Sequence, residues 1–539
     1  MENNQVQKPC AVQKIETSQG FSVVYKERFL YSKYSPSKLI ISTIKQLQLQ
    51  SGTIVLCNSP LLGYGLQELL QKLPDDCLLV LCEADATLYA FTLKELSSFF
   101  TQPDNKLLFP SPDELSGLPV TLYNLNTTGK YRRVISIDFS AATQFNKSFY
   151  DKLYEGCTSS IMTWWKNRLT LTKFGRRYSR NLFENLHYLA DSKPITSFFC
   201  SIEKPIIVFG AGQSTQTFLD HNKINADDFF ILCADTALQP LVKNGVIPDG
   251  VFIEEAQSII SKAFIGMPQN IHIFAGLSSI PNITHNANAQ NLSFFFTEYA
   301  QTAFLTKLKN KSFMPPSNLP FGSVGLTAVY YALKFRKNDS IPIYVTGLDF
   351  SYSAGITHTK GALSHILHLI TGNRLLGLAN YNAAFAYGTE KFIDKSGNQF
   401  ITTPSLKSYA QTFNSIFSAE KNIFDAGESG MPLQIPHRLP DNQNHNRYKQ
   451  TVNQAHPIEE LKAFIFEYLS EEHKALLELK ALLTGKTKLK GTKLLEEITK
   501  IAEPREYLYL HFADGWKFST EQSFLNRIRT EIDFFLKII

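Results

Sequence analysis

Pro205-Ile-Ile-Val-Phe-Gly210-Ala-Gly212-Gln-Ser214-Thr215 is the stretch on which the reading of the fold turns. An apolar run of strand length passes directly into a turn of small residues, and a segment with helical spacing follows. Without Cβ atoms, Gly210 and Gly212 let the backbone approach a ligand and adopt positive φ where that is required. Ser214 and Thr215 fall near the helix start, where free N–H groups and the helix dipole favour phosphate. Each such contribution is only ~0.3–1 kcal/mol at an exposed site, so several must act together. A tight strand-to-helix turn that binds nothing fits the same pattern.

Outward from this turn the texture repeats. Strand-like runs at 205–209, 229–233, 250–253, 271–275, 292–296 and 341–346 alternate with helix-like segments. The alternation predicts an α/β domain: a mainly parallel, Rossmann-like sheet covered by helices on both faces. In such a sheet, ligands bind at the carboxyl ends of the strands, so the residues at those ends are the candidate site. Asp235 and Thr236 follow the second run, in Ile231-Leu-Cys-Ala234-Asp235-Thr236-Ala237. A carboxylate there accepts hydrogen bonds from ribose hydroxyls or a base, or else caps the next helix. Glu254 and Glu255 follow the third run, behind the turn at Pro248-Asp249. Paired acids suit a divalent cation or acceptor positioning; otherwise one is solvated and one is a cap.

Asn318-Leu-Pro-Phe-Gly322-Ser323-Val324-Gly325 precedes an Ala- and Tyr-rich helix. Gly322 and Ser323 suit a carboxylate or phosphate at a helix N-terminus, or simply close helix packing. Asp349 lies just past the last strand, in Gly347-Leu-Asp349-Phe-Ser351-Tyr, and His358 sits in the polar loop that follows. A loop histidine titrates near neutrality and suits general-base work on a hydroxyl. His365 and His368 fall in an apolar helical stretch and read as structural.

The flanks bound the organisation. The chain has 539 residues, too many for one ordinary core. Residues 1–20 read as a polar, frayed terminus and 21–194 as an N-terminal α/β domain. Residues 195–445 read as the central domain and 446–539 as a C-terminal helical domain. In the first domain, strand-like 53–57 leads through Gly63 and Gly65 to a helix and then to strand-like 78–82, tipped by Glu83. That resembles the start of a dinucleotide-binding unit with an incomplete glycine pattern, either a scaffold or a true site. Helix is expected over 145–190, and polar loops over 395–404 and 427–446.

Charged residues make up 19% of the chain and the net charge is +6. This fits a folded protein and is too weak a bias to imply nucleic-acid binding. The seven cysteines form no recurring metal-type pair, which implies a reducing compartment. No apolar stretch reaches the ~18 residues needed to span a bilayer, and the N-terminus lacks an apolar signal core. The expectation is a cytoplasmic protein without membrane insertion.

Five segments in this order resemble the motility-associated factor (Maf) glycosyltransferase family. They are Gly210-Ala-Gly212-Gln-Ser214, Ala234-Asp235-Thr-Ala-Leu238, Gly245-Val-Ile-Pro248-Asp249, Gly322-Ser323-Val324, and Gly347-Leu-Asp349 through His358. Asp425-Ala-Gly427-Glu428-Ser-Gly430 is similar to the family's final Gly-rich motif. The resemblance implies a central domain like that of bacterial sialyltransferases, and a CMP-activated nonulosonic acid of pseudaminic or legionaminic type as donor. It implies Ser or Thr of flagellin as acceptor, no metal and no bound cofactor. On that pattern Gly210, Gly212 and Ser214 cradle the donor phosphate, Asp235 and Thr236 meet the nucleoside, and Gly322 and Ser323 support the sugar site. His358 and Asp349 are then the catalytic candidates. The chain departs from the pattern at Gln213, where the family usually has Pro, and at Glu254-Glu255, where an Asp is common. Two rival readings stand beside it. One is a pterin pyrophosphokinase-like enzyme moving diphosphate from ATP, with Mg²⁺ on carboxylates such as Asp235, Asp349, Glu254 or Glu255. The other is a non-enzymatic flagellin-binding factor.

Overall fold

In the first part of the chain, apolar runs bounded by Gly, Pro and Asn become strands, as their pattern requires. The computed structural model describes residues 11–539 except 101–105, 127–128, 312–313, 376, 441–457 and 516. The chain divides into two compact units, residues 1–173 with 512–517 and residues 174–511 with 518–539.

The first unit opens on an antiparallel sheet of β1 (Gln13–Thr17), β2 (Gly20–Tyr25) and β3 (Arg28–Phe29). Residues 13–17 and 20 are thus paired in strands rather than frayed, while residues 1–10 lie outside the described residues. The α/β block follows as β4 (Thr53–Asn58), β5 (Leu78–Cys82), β6 (Leu107–Leu108) and β7 (Arg133–Asp138), a parallel sheet of order β6-β5-β4-β7. Its Gly-containing turn serves the block's own packing. A Cβ at Gly63 would stand 2.4 Å from Leu96, and one at Gly65 2.4 Å from Ile44. Glu83 turns inward, accepting from Ser59 Oγ at 2.5 Å and Tyr150 O–H at 3.3 Å, and burial pushes its carboxyl up to about 7. Of the two readings, this geometry fits the scaffold.

The second unit carries one eight-stranded, all-parallel sheet. Its strands are β8 (Ile206–Phe209), β9 (Phe230–Ala234), β10 (Gly250–Ile253), β11 (His272–Gly276), β12 (Leu292–Thr297), β13 (Ser317–Asn318) and β14 (Ile343–Thr346). A hairpin of β15 (Glu390–Ile393) and β16 (Gln399–Thr402) intervenes before the last sheet strand, β17 (Ile423–Asp425). The order is β13-β12-β11-β10-β9-β8-β14-β17, every pairing parallel. Strands fully buried on both faces explain the continuous apolar runs. The chain leaves β8 in one direction and returns on its other side at β14, so the strand order reverses between them.

The hairpin replaces the loop expected at 395–404. Asp394 makes it by accepting from the amides of Ser396 (2.9 Å) and Asn398 (3.0 Å), an Asx-type turn that closes the two strands. Of the loop expected at 427–446, residues 441–446 lie outside the described residues. Under the sheet, Phe252, Phe274 and Phe295 pack against Tyr331 and Phe335 of the helix Val324–Phe335 and belong to one core with Phe413 and Phe417.

The expected boundaries near 194 and 446 both fall inside the second unit, for a visible reason. The helix Lys147–Leu189 places Asn181 and Asn185 where they donate to the carbonyls of Ala256, Leu277, Ser278 and Ser279. From the same helix Phe183 packs on Tyr468, Tyr507 and Phe535 of the C-terminal region. The tail helices Ile458–Leu483, Gly491–Ala502 and Gln522–Phe535 are therefore counted with the central sheet. No helix among the described residues is long and apolar enough to cross a membrane.

Two positive-φ glycines separate conformational from packing cost. At Gly397 (φ +80°), in the hairpin turn, a Cβ would meet nothing within 4 Å. At Gly347 (φ +74°) it would stand 2.0 Å from Thr215 Oγ1 and 2.4 Å from the Gly210 carbonyl oxygen. Gly397→Ala is expected to cost about 1 kcal/mol and Gly347→Ala more than about 3 kcal/mol. Urea midpoints of the two variants check this, and equal losses would refute it.

Candidate active site

The reversal point between β8 and β14 is built from two turns locked together. Ser214 donates its amide to Asp349 Oδ2 at 2.8 Å and its hydroxyl to Asp349 Oδ1. The Ser214 oxygen accepts in turn from the Gly347 amide at 2.8 Å. The Gly212 amide donates to the Gly347 carbonyl at 2.8 Å, and Thr215 Oγ1 donates to the Gly210 carbonyl at 2.7 Å. Glycine is required here because the turns touch: a Cβ at Gly210 would lie 2.2 Å from the Gly347 oxygen, and one at Gly212 2.5 Å from the Asp349 carboxyl.

The expected phosphate cradle is thereby partly filled by the protein itself. Asp349, read as catalytic, is 3% exposed and its carboxylate caps the helix Gln213–His221 where an anion was expected at Ser214. Burial pushes its carboxyl up to about 6, against the two Ser214 bonds and nearby Lys395, which lower it. Ser214 itself is buried. What remains open at this turn is Ala211, Gly212 and Gln213, all half-buried, and the amides of Ala211 and Gln213 have no partner among the described residues.

The loop after β14 folds back over the same turn. The Thr359 amide donates to the Ala211 carbonyl at 2.8 Å, and the Ser353 amide to Gln213 Oε1 at 3.2 Å. His358 is therefore held beside the glycine turn. Burial brings its pKa down to about 4, with His368 and His365 adding to the effect, so the imidazole is neutral at pH 7.

Asp235 and Thr236 lie at the end of the neighbouring β9. Asp235 Oδ1 accepts from the Thr236 amide at 2.6 Å and hydroxyl at 2.9 Å, closing a short helical turn. Burial pushes the Asp235 carboxyl up to about 7; the Thr236 bonds oppose that rise, and Glu255 and Glu254 add to it. Glu254 accepts from Thr297 Oγ1 and Thr327 Oγ1, both at 2.8 Å, and Glu255 from the Gln257 amide at 2.9 Å. Gly322 (φ +76°) packs on Tyr409, and Ser323 is the N-cap residue of the helix Val324–Phe335, with no side-chain cap bond. Gly325 of that helix abuts Leu348 in the β14 turn.

The donor-site and catalytic candidates of the central domain thus stand at strand or helix ends around the carboxyl edge of one sheet. Gly210, Gly212, Ser214 and Asp349 form one knot, the loop bearing His358 docks on it through the Thr359 amide, and Asp235, Thr236, Gly322 and Ser323 occupy neighbouring strand or helix ends. Sequence reading missed Thr297 and Thr327, which hold Glu254, and Lys395, which pairs with Asp425 at 2.5 Å beside the Gly427 turn. Thr297 ends an apolar strand run and was legible on that ground. It also missed Asn380, which is fully buried against His365 and His368 and gave no local signal.

An all-parallel sheet with its polar residues gathered where the strand order reverses defines an open, doubly wound α/β protein, the kind in which ligands bind at that crevice. More particularly, the fold is that of a Maf glycosyltransferase. The chain matches the structure of the MAf glycosyltransferase from Magnetospirillum magneticum AMB-1 with a TM-score of 0.54 and 13% identity, over 99% of this chain and 92% of that one. Residues 178–355 match the family described as 6-hydroxymethylpterin diphosphokinase MptE-like. The chain is 31% identical to an uncharacterized protein of Treponema pallidum (strain Nichols) over a 563-residue alignment, covering 97% of this chain and 94% of that protein, and belongs to one family with it.

The Asp235 carboxyl gives this site a pH signature. Its folded pKa of about 7 lies above the unfolded value near 3.9. Between those values the folded state holds the proton more tightly, so stability is present below about pH 4 and is lost as pH rises towards 7. Asp235→Asn should therefore gain melting temperature relative to the parent across pH 4–7 and level off above. A difference that does not change with pH would refute the assignment.

Proposed function

We propose that the protein is a glycosyltransferase that moves a nonulosonic acid, of pseudaminic or legionaminic type, from a CMP-activated donor to Ser or Thr hydroxyls of flagellin in the cytoplasm. The observation that carries the reading is the docking of the His358 loop on the Ala211 carbonyl. It brings the loop that carries His358, whose imidazole is neutral at pH 7, onto a turn whose Ala211 and Gln213 amides have no partner among the described residues.

In this reading the donor phosphate meets the amides of Ala211 and Gln213 at the start of the helix Gln213–His221. Asp235 and Thr236 face the nucleoside, and Gly322 and Ser323 line the sugar side. The acceptor oxygen attacks the anomeric carbon, the bond from that carbon to the phosphate oxygen breaks, and CMP leaves with the electron pair. His358 takes the hydroxyl proton. The amides stabilise the charge that grows on the leaving phosphate. Asp349 fixes the turn through Ser214 and does not touch the donor.

The match of residues 178–355 to the diphosphokinase-like family favours a second reading, transfer of diphosphate from ATP with Mg²⁺. The carboxylates present fit that ion poorly. Asp235 is buried and closed onto Thr236, Glu254 is held by two threonine hydroxyls, and Asp349 is closed onto Ser214. A flagellin-binding factor without activity is the third reading.

Thermal shifts separate the three. A ligand at about 100 times its Kd stabilises by about 2.7 kcal/mol. Stabilisation by cytidine nucleotides alone supports the transferase, Mg²⁺-dependent stabilisation by ATP the kinase, and neither the binding factor. His358→Ala should keep the cytidine nucleotide shift and lose transfer. If flagellin co-expressed with this variant still carries its full glycan mass, His358 is not the base.

A further inference from the structure

Three histidines, His358, His365 and His368, gather around the side chain of Asn380, which is fully buried. Asn380 Oδ1 lies 2.8 Å from Thr357 Oγ1 and 2.6 Å from His368 Nδ1. Its Nδ2 lies 3.3 Å from His365 Nδ1 and 3.5 Å from the His365 carbonyl oxygen. A carbonyl oxygen can only accept, so the amide nitrogen faces His365 and the amide oxygen faces Thr357 and His368.

The proton directions follow from that one orientation. Asn380 Oδ1 cannot donate, so Thr357 gives it the only hydroxyl proton that Thr357 has. The Thr357 oxygen, 3.2 Å from His358 Nδ1, is left as an acceptor there. His358 then carries its proton on Nδ1, and Nε2 keeps a free lone pair. By the same logic His368 donates from Nδ1, and His365 accepts on Nδ1 and holds its proton on Nε2. Which nitrogen of a histidine is protonated is set by the partner of the other, and here two links lead back to a single uncharged amide.

We propose that Asn380 is a positioning residue which, through Thr357, holds His358 as its Nδ1–H tautomer so that Nε2 is the atom that receives the acceptor's proton. This rests on the reading of His358 as the base. An uncharged amide suits the task. A carboxylate at 380 would favour imidazolium in all three rings, and a cation cannot accept a proton. Among the described residues the titratable groups acting on His358 are His365 and His368, with Lys360 acting on His365.

The test is ¹⁵N histidine NMR on the full chain at pH 7, with the His358 signals assigned by their loss in His358→Gln. The parent should show His358 as Nδ1–H. Thr357→Val, which keeps shape and removes the relay hydroxyl, should shift His358 towards Nε2–H while leaving His365 and His368 unchanged. Asn380→Asp should raise the pKa of all three rings. In both variants kcat for transfer should fall by about tenfold or more, with KM for the donor within about twofold of the parent. Should Asn380→Asp fail to fold, Thr357→Val decides alone. An Nε2–H state in the parent, or an unchanged tautomer in Thr357→Val, overturns the positioning role while leaving the base role of His358 to its own variant. A shifted tautomer with undiminished kcat overturns the catalytic half and, with it, His358 as the base.

Discussion

The bond between the Ser214 amide and hydroxyl and the Asp349 carboxylate is the constraint on which the rest of the site depends. It joins the first turn of the sheet to the turn made more than a hundred residues later, and it does so at the point where strand order reverses. A carboxylate buried this deeply costs several kcal/mol unless it is satisfied. Its acceptors are met by a helix amide and a hydroxyl, with Lys395 lowering the cost further. Removing either partner would leave an orphaned polar group in the core. The glycines at 210, 212 and 347 are a consequence, because the turns can close to hydrogen-bond distance only where no Cβ intervenes.

That closure decides which atoms a ligand can meet. Ser214 and Asp349 face each other, so the helix start offers the half-buried backbone of Ala211 to Gln213 instead of a hydroxyl. Charge is then sorted along the edge. The raised acids Asp235 and Glu254 stand at the ends of β9 and β10, while the loop of His358, a histidine held neutral by burial, is tied to the β8 turn through Thr359. Desolvation pushes carboxyls up and imidazoles down, and that is the direction of the shift at each of these groups. On the proposed reading, an anionic donor meets less repulsion from raised acids and a neutral imidazole is free to take a proton.

Much of this was legible in the sequence because it is local. Apolar runs announced β8, β9, β10, β11, β12 and β14 within a residue or two, and the placing of acids just after them put the candidates on one edge. Non-local features were not legible. The strands β13 and β17 have two and three residues and exist only because a neighbour supplies the ladder. The hairpin at 390–402 is made by Asp394 closing a turn inside a polar stretch that reads as loop. Asp349 looked catalytic because a strand-end acid is usually free; nothing near it in sequence told of Ser214. His365 and His368 looked like helix filler, yet the Asn380 amide gathers them beside His358.

On the proposed reading, the base sits on a loop while its alignment does not depend on the loop alone. A polar loop ordered only by its own turns opens readily, and a misplacement of about 1 Å in a reacting group is costly. Here the backbone on one side of His358 is tied to the turn after β8 through Thr359 and Ala211, and its ring is tied on the other side through Thr357 to a buried amide. Two anchors from different elements fix both position and proton.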